Sequence, residues 1–132
     1  MFKIYKIKRS SIALFASVII SIIFLQSCSA TNTITSGYKT TTVSYYANKF
    51  EGKKTASGEI YRHSKMTAAC KSLPFGTKVE IMNIENSKKV VIIVNDRGPL
   101  KASREFDLSQ GAFKKIGNLS SGILKVKYRI IK

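Results

Sequence analysis

An apolar run from Ile12 to Leu25, 14 residues broken only by Ser17 and Ser21, sits behind Lys3, Lys6, Lys8 and Arg9. A helix that crosses a bilayer takes about 20 apolar residues. The run therefore fits the h-region of a secretory signal peptide, and the four cations fit its n-region. A transmembrane helix is the alternative. Either way only the residues after the run are left to fold, and a chain of 132 residues has room for one domain.

Leu25-Gln26-Ser27-Cys28 closes the run. It resembles a lipobox, where a lipoprotein precursor is acylated on the cysteine thiol and cut just before it. Residues 1–27 are then the signal peptide and Cys28 is the lipid-bearing N-terminus. Each buried CH₂ adds about 0.8 kcal/mol, and stable anchoring takes more than one chain. The expected location is outside the cytoplasm, on a membrane and facing the periplasm. Ser29, where some lipoproteins carry an inner-membrane aspartate, favours the outer membrane. A soluble secreted protein with an incidental Cys28 is the alternative.

Cleavage before Cys28 leaves 105 residues; the 23 Lys and Arg less the four ahead of Cys28 make 19 against 7 acidic groups, a net charge of +12. Such a surface suits polyanionic partners, among them anionic headgroups or an acidic wall polymer. Export argues against nucleic acid, and no arginine-rich helix or zinc motif supports it. With Cys28 acylated, Cys70 has no intramolecular partner, so no disulfide framework is expected and the core alone must hold the fold.

Residues 28–41 are mostly Ser, Thr, Gly and Asn and read as a flexible tether. The folded domain is expected over 42–132. Val43 to Ala47 is a strand candidate rich in aromatic and β-branched residues. Lys78 to Ile84 alternates as a half-buried strand, and Glu85-Asn86-Ser87 follows as a hairpin turn. Lys89 to Val94 is nearly all apolar, which predicts a strand covered on both faces. The one helix expected is Gln110 to Ile116, with Ser109 as N-cap and Gly117 at its stop. Ile123 to Ile130 closes the chain as a strand. These segments predict a small, mainly β domain, a closed barrel with one short helix.

Chemistry-bearing residues are few. There is no Ser-His-Asp arrangement, zinc-ligand spacing or phosphate loop, so no metal or cofactor is expected. His63 stands alone in a polar stretch, and Glu80 alternates with apolar neighbours as an outer-face residue. Asp96 differs, because it follows an apolar strand directly and precedes Arg97-Gly98-Pro99. A desolvated carboxylate there can serve as a proton donor; equally, an Asp before Gly-Pro can cap its turn. Asp107 reads as structural, orienting the start of the helix.

Ser44-Tyr45-Tyr46, Thr55-Ala56-Ser57-Gly58-Glu59, Met66-Thr67-Ala68-Ala69, Leu73-Pro74-Phe75-Gly76-Thr77, Asn95-Asp96-Arg97-Gly98-Pro99 and Phe106-Asp107-Leu108-Ser109 occur in the order and spacing of the rare lipoprotein A (RlpA) family. The chain resembles that family from Val43 to Lys132. The resemblance implies a six-stranded double-psi β-barrel, related in architecture to expansins. It implies a lytic transglycosylase acting on peptidoglycan glycan strands that lack stem peptides; a monomer is expected. A C-terminal peptidoglycan-binding module found in many members is not expected here. In the implied reaction the sugar's own 6-hydroxyl closes a 1,6-anhydro ring, so no water is activated and one acid suffices.

By the same resemblance Asp96 matches the catalytic aspartate, Glu59 a supporting acid, and Tyr46, Arg97 and Lys71 are substrate-binding candidates. One position departs: the family reads Thr-Ala-Ala-His where this chain has Cys70. If Ala69-Cys70-Lys71 lines the cleft, Cys70 is expected beside Asp96 in the place of an imidazole. Two readings stand, an endolytic transglycosylase and a non-catalytic, expansin-like glycan-binding lipoprotein.

Overall fold

The computed structural model describes residues 37–99 and 101–132. The signal peptide, Cys28 and most of the tether expected from the sequence lie outside those residues. Six strands, β1 (Lys39–Tyr45), β2 (Thr67–Cys70), β3 (Lys78–Asn83), β4 (Lys89–Asp96), β5 (Arg104–Leu108) and β6 (Leu124–Ile131), close into a barrel in the order β1-β5-β2-β4-β3-β6. β1 and β5 pair in parallel, as do β2 and β4, and β2 joins the two pairs by running antiparallel to β5.

Two expectations are corrected, and two strands appear that the sequence did not mark. The domain begins before residue 42, because Lys39 to Val43 pairs with β6 from Tyr128 back to Leu124. Residues 39–41 are polar because the first turn of the strand faces solvent, not because they are tether. β4 is not covered on both faces: its burial alternates, and Val91 and Ile93 are 43% and 41% exposed. The run is apolar throughout, yet only Val90, Ile92 and Val94 point into the barrel. Finally, β2 and β5 carry no strand reading of their own. Thr-Ala-Ala-Cys is buried at all four positions and so shows no alternation.

The helix, α1 (Gln110–Ile116), spans the residues expected. The Ser109 hydroxyl oxygen accepts from the Ala112 N–H at 3.1 Å and itself donates to the Lys65 carbonyl, so the cap also ties the helix to the loop before β2. Gly117 is present for space and not for a left-handed turn. Its backbone is extended, and a Cβ there would lie 2.5 Å from Leu124 Cδ1. Phe113 and Ile116 join the same core cluster as Val43, Leu108 and Val126, all fully buried. Each such side chain contributes about 1.5–3 kcal/mol.

Candidate functional site

Ser44 and Tyr46 stand two residues apart at the end of β1, so they share a face, while Tyr45 between them turns inward onto Phe113 with ring centroids 4.8 Å apart. That shared face opens on a groove of about 650 Å³, lined by Ser44, Tyr46, Ala69, Asp96, Arg104 and Asp107 among others. The volume lies within the usual range for a ligand site.

Two aspartates occupy it. Ala69 on β2 is in register with Asp96 on β4 at one side and Asp107 on β5 at the other. Adjacent strands run about 4.8 Å apart, which sets the two backbones about 10 Å apart with only a methyl group between them. Each carboxylate takes a hydroxyl from the same stretch of β1. The Tyr46 O–H donates to Asp96 Oδ2 at 2.6 Å, and the Ser44 O–H donates to Asp107 Oδ1.

The rest of their surroundings differ. Asp96 Oδ1 accepts the backbone N–H groups of Ala56 and Arg97, both at 2.8 Å. The turn-capping and site-facing readings of Asp96 are thus both present, divided between its two oxygens. Asp107 instead lies 3.6 Å from Arg104 Nε, a nitrogen with no hydrogen-bond partner among the described residues. Burial, together with the hydrogen bond to Asp96, pushes the Tyr46 phenol well above the usual tyrosine range. It is therefore a donor, not a proton source.

Of the remaining sequence candidates only Arg97 lines this groove. Glu59 is exposed and accepts from the Asn95 side-chain amide at 3.2 Å. It reaches Asp96 only through the chain, by holding the neighbouring residue. Arg97 lines the groove, but its Nη1 faces the carbonyls of Cys70 and Leu73 at 3.1 and 3.0 Å, and its guanidinium lies 3.9 Å from the Phe75 ring centroid. It ties the Leu73-to-Thr77 turn to β4. Lys71 donates to the Lys101 carbonyl at 3.0 Å and lines a small cavity that shares Arg97, Gly98 and Pro99 with the groove.

Cys70 is the clearest correction. Its side chain is fully buried and does not line the groove; Sγ lies 3.7 Å from Glu105 Oε1, in the core. Ala69 takes the groove-facing position and Cys70, the next residue of β2, the core side; the register shift lies in β4, where Asn95 is passed over so that Asp96 comes opposite Ala69. Asp107 was missed because the helix after it suggested a capping role. The signal available was its spacing from a strand residue, Phe106, that is fully buried.

A family model described as lytic transglycolase matches residues 38–128. The chain is 49% identical over 83 residues to the probable endolytic peptidoglycan transglycosylase RlpA of Treponema pallidum, covering 63% of this chain and 26% of that protein. It is 46% identical over 84 residues to the endolytic peptidoglycan transglycosylase RlpA of Haemophilus influenzae, covering 64% and 29%. The chain thus matches less than a third of the length of these relatives. Among solved structures, a mutant Clavibacter michiganensis expansin in complex with cellohexaose is similar in fold, with a TM-score of 0.57 and 17% identity over 72% of this chain and 50% of that one. With a closed six-stranded barrel and a family match spanning it, the chain belongs to the lytic transglycolase family, as a double-psi β-barrel of the RlpA type.

Proposed function

We propose that the chain is an endolytic peptidoglycan lytic transglycosylase that cleaves glycan strands poor in stem peptides. The observation that carries this is Asp96, whose Oδ1 is fixed by two backbone N–H groups while Oδ2 faces the groove beside the Tyr46 hydroxyl. A proton on Oδ2 passes to the glycosidic oxygen as the bond from C1 of the muramic acid residue to that oxygen breaks. The 6-hydroxyl oxygen of the same sugar then bonds to C1 and returns its proton to Oδ2. Between the two transfers the Tyr46 hydroxyl hydrogen-bonds the Asp96 carboxylate, and Asp107 presents a second carboxylate to the positive charge that develops on the sugar. Glu59 supports Asp96 by holding Asn95. Position 70 lies outside the groove, so the change from histidine to cysteine leaves the groove's lining intact.

The export and anchoring reading belongs to the same proposal: Cys28 carries the lipid and holds the barrel at the periplasmic face of a membrane, by preference the outer one. Its support is the charged start, the apolar run and the Leu-Gln-Ser-Cys sequence.

The test is to incubate the purified protein with peptide-free glycan strands and examine the new ends by mass spectrometry. Anhydro-muramic ends are expected. Ordinary reducing ends would make it a hydrolase, and strands bound but uncut would make it an expansin-like binder.

A further inference from the structure

Beyond the two aspartates the groove continues onto a short 3₁₀ turn, Asn48–Phe50. Phe50 is 38% exposed there. Its ring meets Tyr46 edge to face at 5.6 Å, and Tyr46 in turn bonds Asp96. Phe50, Tyr46 and Asp96 therefore follow one another along the same wall of the groove.

The turn is held from below. Gln110, a nearly buried polar side chain at the start of α1, donates to the Tyr46 carbonyl at 3.0 Å and to Asn48 Oδ1 at 2.7 Å. Withdrawing an amide from water is unfavourable unless it is hydrogen-bonded, and here both bonds are used to fix an exposed turn. The Phe50 ring is thus presented in a set position instead of being left on a loose loop.

Lys49 lies beside it and also lines the groove, with Nζ 5.4 Å from the Phe50 centroid. Among the described residues no carboxylate lies within salt-bridge distance of this ammonium. The Arg97–Phe75 pair makes the contrast. There the cation stacks on the ring and three carbonyls, those of Cys70, Leu73 and Asp96, face its Nη1. At Phe50 the cations lie farther off, Lys49 Nζ at 5.4 Å and Lys53 Nζ at 5.9 Å from the centroid against 3.9 Å for Arg97 on Phe75, and the Lys49 charge has no carboxylate partner.

We propose that Phe50 and Lys49 form a glycan subsite next to Asp96 that takes a sugar bearing a free carboxylate. The pyranose ring stacks on Phe50, and its carboxylate pairs with Lys49. The inference rests on the peptidoglycan reading. In that polymer the lactyl carboxyl of muramic acid is an anion when the stem peptide is absent and an uncharged amide when it is present. Lys49 is accordingly the residue that tells the two apart.

The experiment measures binding by the full-length Asp96→Asn protein, which removes cleavage from the readout. The probes are peptide-free glycan strands and the same strands after their lactyl carboxylates are converted to simple amides. The free-carboxylate strands are expected to bind about fivefold tighter, the upper end for an exposed ion pair. Adding Lys49→Gln should bring the two to equal affinity. Adding Phe50→Ala should weaken both by about tenfold, and Phe50→Tyr should restore them. Retention of the preference in Lys49→Gln, or its absence in the parent, overturns the subsite while leaving the groove's glycan role standing. Binding of neither strand would instead overturn the peptidoglycan reading.

Discussion

Asp96 and Asp107 face one groove from either side of Ala69, each with a hydroxyl from the end of β1, yet they are held by opposite means. Asp96 rests on two backbone N–H groups and a phenol, all of them uncharged donors. Asp107 has a serine hydroxyl and the guanidinium of Arg104. A carboxylate that must gain and lose a proton in turnover is better served by dipoles, which stabilise its charged form without fixing a full counter-charge beside it. A carboxylate that only has to be negative is suited by a cation. Under the proposed mechanism the difference suits Asp96 to proton transfer and Asp107 to a steady field.

Replacing each aspartate in turn is the strongest way to break that assignment. Asp96→Asn should lower turnover on peptide-free strands by about 10²–10⁴-fold. Its thermal midpoint should stay within about a few degrees, because the amide oxygen can keep both backbone bonds. Asp107→Asn should lower turnover by about tenfold only, and cost about 1–3 kcal/mol of stability by leaving Arg104 Nε without its carboxylate. Equal losses of turnover in the two variants would show that both carboxylates handle protons.

A third carboxylate sharpens the contrast from outside the groove. Glu80, on the outer face of β3, has both devices at once: the Tyr38 hydroxyl donates to it, and Arg129 and Lys89 lie at 3.2 and 3.6 Å. The hydrogen bond from Tyr38 comes first, then the two cations, in holding its carboxyl below the usual value of 4.5. A lowered value in the fold means stability that is present above about pH 4.5 and lost as the pH falls through the folded value. Glu80→Gln should flatten the acid side of the thermal-midpoint profile without touching turnover. An unchanged profile would remove Glu80 as a source of acid sensitivity.

The smallest effect is expected at Cys70. With the thiol buried against Glu105, Cys70→Ala should leave turnover within about twofold. Cys70→His should not raise it, and a ring forced into that space should cost about 1–3 kcal/mol. A gain in turnover by the histidine variant would mean that position 70 reaches Asp96 in the working protein.

Much of this was legible in the chain because local rules sufficed. Ser109 and the Phe113, Ile116 spacing delimit α1, and alternation marks β3. The fold class rested on motifs distributed along the chain, which also named Asp96 and Tyr46. Three features were not legible. The exposed side of β4 is apolar, so composition alone could not reveal it. β2 is buried at every position and loses the period of two that marks a strand. Ala69 and Cys70 face opposite sides of β2, as successive strand residues do, but nothing in a segment buried throughout marks which side is core. That alternation separates a residue in the groove from one in the core.

Closure of the barrel gives each of the six strands a hydrogen-bonded neighbour on both sides. Open sheets carry a row of unsatisfied N–H and C=O groups along each edge, ready to template another chain. Here that route to self-association is shut at the level of the backbone. Among the described residues, copies of the barrel have no open sheet edge to offer one another, and a partner that meets the barrel wall meets side chains first.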